Sequence, residues 1–297
     1  MIYHITHNTT YLYGTAAEAC HNLVRLDPRT TGGQRPLEME LHVEPAPIRV
    51  HTYVDYFGNR VRSFAVLEPH QRLSITSESR VAVDRPVASL LATSRDWRDV
   101  QRTLRRERDD VTIDALQYVF DSAHVRAGAA LAQYASASFP KGRPLLEAVF
   151  DLTARVHKEF AYDPRATTVD TPMEEVLERR RGVCQDFAHL QIGCLKSLGL
   201  AARYVSGYLR TDSPPDQPRL EGADASHAWI SVYCTQNGWI DFDPTNGCLV
   251  GDRHITLGWG RDFHDVSPIK GVVLGGGGST LRVGVEVKAI EANGSAA

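Results

Sequence analysis

Cys184 follows Gly182-Val183 in the stretch RRGVCQDFAHLQIGCLKSLGL (180–200), where an amphipathic helix is expected to begin. A thiol attacks only as its thiolate, and a free cysteine has a pKa of about 8.5, so something must favour the anion. A helix N-terminus contributes only ~0.3–1 kcal/mol, which is less than one pKa unit. A neighbouring imidazolium does more, since Cys–His pairs of this kind reach pKa values of about 3–4. Nucleophilic chemistry at Cys184 therefore calls for a histidine from elsewhere in the fold. His227, in DASHAWISVYC, stands at the start of a strand-like run just after a long polar connection, a suitable place to present a ring. A third group must orient that ring through its other nitrogen. GWIDFDPTNG offers Asp241 and Asp243 on the following strand. Alternation puts both on one face, so periodicity does not choose between them. His189 is a rival base. It lies five residues beyond Cys184, about 140° round the helix, and so points elsewhere.

The other groups near Cys184 have simpler readings. Asp186 suits the first turn of the helix as a dipole-favoured acid, and its carboxylate would oppose a thiolate, so it is expected to be structural. Gln185 follows the nucleophile directly and is a candidate for lining a subsite. Trp229 and Trp239 flank the histidine and the aspartates; either packs in the core or walls a cleft.

These residues need elements to hold them. The first ~85 residues alternate like strands: IYHITHNTTYLY, LEMELHVEP (37–45), IRVHTYVDYFGNRVRSFAVLE (48–68) and RLSITSESRVAV (72–83). The third reads as a hairpin turning at Phe57-Gly58-Asn59. From Ser94 to about Phe160 apolar residues recur at three and four, as in LLEAVFDLTARVHKEF (145–160), which predicts helices. TPMEEVLERRRG (171–182) predicts a helix with Thr171 as N-cap, Pro172 at its first position and Gly182 as its stop. ERRR (178–181) is a solvated helix end. The Cys184 helix carries Phe187, Leu190, Cys194, Leu195 and Leu198 on one face and ends at Gly199. AARYVSGYLR, HAWISVYC, GWIDFDPT and TLRVGVEVKAI are strand-like, and GGGGS (275–279) reads as a loose hairpin loop. The proline-rich connection 211–226 is long enough to be functional. The organisation expected is α+β: an N-terminal antiparallel β domain (1–85), then a helical lead-in and catalytic core (86–297).

A chain of 297 residues can bury a large core without covalent staples. A net charge of −3 gives no basic footprint for nucleic acid. The five cysteines (Cys20, Cys184, Cys194, Cys234 and Cys248) include no CxxC pair, which argues against a disulfide framework or a zinc knuckle; all but Cys184 are expected in the core. Neither a metal nor a cofactor is called for. No stretch reaches the ~18 apolar residues of a membrane span. The N-terminus lacks a secretory leader's apolar region. A reducing, cytoplasmic setting is expected.

GVCQDFAHLQIGCLKSLGLAARYVSGY, DASHAWISVY and GWIDFDPT, in that order, resemble the core of the transglutaminase-like superfamily. MIYHITHNTTYLYG, NLVRLDPR, YFGNRV and GRDFHDVSPIKGVV resemble its bacterial members that carry an extra N-terminal β domain, so the likeness covers nearly the whole chain. The resemblance implies a papain-like core with the cysteine at the start of a central helix packed on an antiparallel sheet. It implies Cys184 as nucleophile, His227 as base and Asp243 as orienting carboxylate. Asp243 lies four residues after Trp239 and directly before Pro-Thr, which separates it from Asp241. An oxyanion hole needs donors at about 2.7–3.1 Å. The Cys184 N–H is one. In relatives the second is a side chain preceding the helix, which points to Tyr162 in FAYDP. The activity implied is thiol-dependent attack on an amide of a peptide or protein, passing through a Cys184 thioester, as a cysteine peptidase or amidase. The alternatives are a protein-glutamine transglutaminase, or a non-catalytic interaction module on the same fold.

Overall fold

A computed structural model of the chain describes residues 1–85, 94–211 and 226–290. The connection expected at 211–226 lies almost entirely outside them. The architecture is mixed α+β, as expected from the sequence. The chain opens with β1 (Ile2–Val24), a 23-residue strand whose alternating burial matches its alternating sequence. β2 (Gln34–Glu44), β3 (Val50–Val54), β4 (Arg60–Val66) and β5 (His70–Val83) follow. β3 and β4 pair antiparallel around Gly58, whose φ of 77° supplies the left-handed turn the sequence called for.

Helices come next: α1 (Trp97–Arg106), α2 (Asp110–Leu116), α3 (Ala129–Ser136) and α4 (Leu145–Glu159). The short strand β6 (Ala161–Tyr162) precedes α5 (Met173–Arg179), and β7 (Arg181–Gly182) leads into α6 (Cys184–Ser197). The boundaries of α5 differ from expectation. Pro172 is its N-cap and Arg180 ends it with φ 54°. Gly182 instead lies in β7, paired in parallel with Tyr162. A Cβ at 182 would come within 2.6 Å of Asp186 Oδ2, so this glycine serves a close approach rather than a helix stop. The arginine run sits on the surface, with Arg179 on Glu175, Arg180 on Glu159 and Arg181 on Asp163.

The core sheet is assembled from β8 (Ala202–Leu209), β9 (Ser226–Cys234), β10 (Gly238–Asp243), β11 (Cys248–Leu249) and β12 (His254–Gly260), in the order β11-β10-β9-β8-β12. After α7 (Phe263–Val266) come β13 (Ile269–Gly275) and β14 (Ser279–Ile290). The glycine run between them is not a hairpin loop. β13 pairs with Val24 to Ala17 of β1 and β14 with Tyr13 to Ile2, both antiparallel, so the two form one path along the same strand. Gly275 to Gly278 all have positive φ and carry that path past the kink at Gly14 and Thr15. The closing strands of the chain therefore complete the sheet that its first strand begins.

α6 packs on β8 and β9 and is enclosed by α3, α4 and α5. The predicted apolar stripe is real, but burial runs right round the helix from Asp186 to Lys196. Each fully buried leucine here contributes about 1.5–3 kcal/mol relative to exposure. Among its polar members, Gln191 Nε2 donates to Thr153 Oγ1 at 2.7 Å. The other face of the core sheet meets the N-terminal sheet. Tyr208, Ile255 and Leu257 share one apolar cluster with Tyr3, Ile5, Phe64, Ile75 and Val287.

Candidate active site

The site is assembled from the N-terminus of α6, the start of β9, the end of β10 and the start of β12. Val183 caps the helix, and its N–H donates to Asp186 Oδ2 at 2.8 Å; the Thr167 hydroxyl donates to the same oxygen at 2.6 Å. Asp186 is thus a buried cap that closes the first turn and presents Cys184 at the helix mouth, the structural role expected of it. Burial raises its carboxyl, and the bonds from Thr167 and Val183 oppose that rise.

His227, at the start of β9, lies close enough to Cys184 for the thiol to act on its ring. Its Nε2 donates to Asp243 Oδ2 at 2.8 Å. The structure therefore places the hydrogen-bonded His227–Asp243 pair near Cys184. Burial pulls the imidazole down, but the bonds to Asp243 and Cys184, with their charges, outweigh it and lift its pKa to about 10. Asp243 is fully buried, which raises a carboxyl; the bonds from His227 and His254 more than reverse this and hold it below the carboxylate range.

Asp241 does not compete. Its Oδ2 lies 3.4 Å from Trp229 Nε1. His189 does not either. It is buried, its Nε2 accepts the Phe263 N–H at 3.1 Å, its ring stacks on His124, and burial pushes it down to about 3.

The remaining candidates separate. Tyr162 is 57% exposed. Its pKa is raised by burial and then by the charge of Cys184. Gln185 is partly exposed and donates to the Val169 carbonyl at 3.3 Å, so it borders the same mouth. Trp229 takes the core place of its two readings and does not wall a cleft. It is 0% exposed, with its ring against His254 at 5.3 Å, and buttresses the site from within. Gly207 makes room for it, because a Cβ there would come within 2.3 Å of the indole. Trp239 sits under Arg203, 4.1 Å from its ring centre, in a stack that continues through Trp259 to Arg29. Cys20, Cys194 and Cys234 are buried as expected, whereas Cys248 is only half-buried, opposite Asp243 in the sheet.

Two neighbours of Asp243 were not foreseen. Asn246 Nδ2 donates to its Oδ2 at 2.6 Å, and His254 Nε2 donates to it at 3.1 Å. Asn246 directly follows the DPT signature, so its nearness was available in the sequence. His254 comes from β12 at the far edge of the sheet, and only the fold delivers it. His227, Asp243 and His254 hold their ligand atoms within 4.8 Å of one another. Both ring nitrogens already carry protons bonded to the carboxylate, so a cation would have to displace that network. The arrangement suits attack by a sulfur whose proton passes to an oriented, charge-compensated ring.

Known proteins share this architecture. Residues 3–82 match the family model of the bacterial transglutaminase-like N-terminal region, and residues 132–244 match that of the transglutaminase-like superfamily. An uncharacterized protein of Mycobacterium tuberculosis is 39% identical over 294 residues, covering 97% of this chain and 93% of its own. The protein-glutamine gamma-glutamyltransferase of Pseudomonas aeruginosa is 32% identical over 92 residues, 30% of this chain and 14% of that protein. A crystal structure from Cytophaga hutchinsonii, provisionally described as a cysteine protease, superposes with a TM-score of 0.75 at 22% identity, over 99% of this chain and 92% of that one. At that identity the likeness is one of fold.

Proposed function

Because the chain belongs to the transglutaminase-like superfamily, in its bacterial form with the N-terminal region, we propose that it is a cysteine peptidase or amidase acting on a peptide or protein amide through a Cys184 thioester. The observation that carries this is the hydrogen-bonded His227–Asp243 pair near Cys184, the residue that opens a buried helix. With His227 lifted to about 10, the ring holds its proton at neutral pH, and in this reading it pairs with a Cys184 thiolate. The sulfur adds to the amide carbon, and the resulting oxyanion is met by the Cys184 N–H and the Tyr162 hydroxyl. Collapse breaks the C–N bond, and His227 gives its proton to the leaving amine. The neutral ring then takes a proton from water as the oxygen attacks the thioester, releasing the acid and restoring the thiolate–imidazolium pair. Asp243 stays ionised throughout and holds the tautomer.

Acyl transfer to an amine uses the same residues, the amine replacing water in the second step. The partial match to a glutamyltransferase favours this second reading. Incubating the protein with peptide libraries, with and without a primary amine, and weighing the products tests both readings. A released acid is expected for hydrolysis and a new amide for transfer. Cys184→Ala is expected to abolish either product and the iodoacetamide adduct at that position. Full activity in that variant contradicts the proposal, and leaves the interaction-module reading in its place.

A further inference from the structure

Asp243 has more donors than the task of orienting one imidazole requires. Its Oδ1 accepts the N–H groups of Thr245 at 2.9 Å and Asn246 at 3.1 Å. Its Oδ2 accepts from Asn246 Nδ2, His227 Nε2 and His254 Nε2 at 2.6, 2.8 and 3.1 Å. The first four bonds alone fix the carboxylate. The fifth donor, His254, is 5% exposed and lies edge-on to Trp229. Its Nδ1 accepts the Gly251 N–H at 3.3 Å, which places the ring's proton on Nε2. His254 is thus a neutral donor of settled tautomer aimed at the oxygen the catalytic base also uses.

We propose that His254 is a positioning residue that shares Asp243 Oδ2 with His227 and so limits how tightly the triad holds a proton on that ring. The inference rests on reading Cys184 as the nucleophile. The physical reason is competition. Each donor draws negative charge from the carboxylate oxygen it meets, and what one takes the other cannot use. With Oδ2 given mainly to His227, the imidazolium would be a weaker acid and would release its proton to a leaving amine more slowly. Other titratable groups around the network are Cys184 on α6, Cys248 on β11 beside Asp243, Asp241 on β10 toward Trp229, and His157 on α4, whose Nδ1 hydrogen-bonds the Thr245 carbonyl.

The test uses the full chain and needs no substrate. Iodoacetamide alkylation of Cys184, distinguished from Cys248 by peptide mass, is followed from about pH 4 to about pH 11, which brackets the imidazole and thiol ranges. His254→Phe removes the donor and keeps a ring; His254→Gln restores an amide donor of similar reach. The expected result is that the upper limb of the profile, where His227 loses its proton, moves to higher pH in His254→Phe and returns to the wild-type position in His254→Gln. If His254→Phe does not fold, His254→Asn, whose amide falls one bond short, serves as the donor-free variant with the same expectation. A profile unchanged in the donor-free variant, or moved equally in His254→Gln, overturns the proposal. So does a lowered melting temperature without movement of the limb, the mark of packing alone. A wild-type Cys184 that alkylates like a free thiol throughout defeats the nucleophile reading and this inference with it. A two-limbed wild-type profile indifferent to residue 254 defeats only the inference.

Discussion

Asp243 accepts five hydrogen bonds through two oxygens, and all five donors are N–H groups. An asparagine cannot replace it quietly. Whichever way the amide is turned, its NH2 faces donors: two imidazoles and an amide on one side, two backbone N–H groups on the other. Each buried donor left unpaired costs about 1–3 kcal/mol. Asp243→Asn is therefore expected to lose stability on that scale in urea unfolding, and to lower turnover by about 10²–10⁴-fold through the wrong tautomer of His227. Wild-type stability and turnover in that variant would contradict the account. Cys184 and His227 stand out as candidates in short local stretches, whereas Asp243 is separated from Asp241 only by the family resemblance. His254 does not stand out. Nothing in DRHITLGWG marks one histidine as facing a carboxylate that is eleven residues away in sequence and on the opposite side of a sheet.

At the scale of elements, two glycines show how backbone proximity shapes the site. Gly182 lets Asp186 close the first turn of α6, and Gly207 lets Trp229 lie across β8 beneath the triad. At 207 an added methyl would come within 2.2 Å of the Ile255 carbonyl and 2.3 Å of the indole. Neither can yield, one being backbone and the other a fully buried ring. Gly207→Ala is expected to destabilise by about 1–3 kcal/mol, as overpacking does, and to slow Cys184 alkylation by shifting the floor under His227. A neutral effect in thermal unfolding would show that the strand can relax. Periodicity located the strands and the Cys184 helix well. It misjudged the glycine run at 275–278, because a break in a strand and a turn between strands look alike until the partner strand is known. It likewise described α6 as amphipathic, whereas Gln191, His189 and Lys196 are buried as well once the surrounding helices are in place.

For the whole molecule, the N-terminal sheet and the core are not separable parts. β13 and β14 leave the core only to pair with β1. Tyr208 of the core sheet hydrogen-bonds His7 at 2.9 Å, and Gln34 donates to the Thr256 carbonyl at 2.7 Å. Arg29 lies 3.5 Å from the Trp259 ring centre. A fragment beginning at residue 86 would expose Tyr208, Ile255 and Leu257 and strip two long strands of their partner. It is expected to aggregate or to unfold without a cooperative transition, as judged by circular dichroism during heating. A soluble fragment with a sharp transition would mean that the shared cluster is dispensable. No linear pattern announces this union, because it joins the two ends of the chain.

The claim on which all this depends is that His227 keeps Cys184 charged by remaining protonated well above neutral pH. The most direct measurement is the iodoacetamide alkylation rate of Cys184 against pH in the wild type and in His227→Asn. With the ring lifted to about 10, the wild-type rate is predicted to be high and flat through neutrality and to change only as pH nears that value. The variant is predicted to follow an ordinary thiol, rising through about 8.5. Superimposable curves would contradict the account.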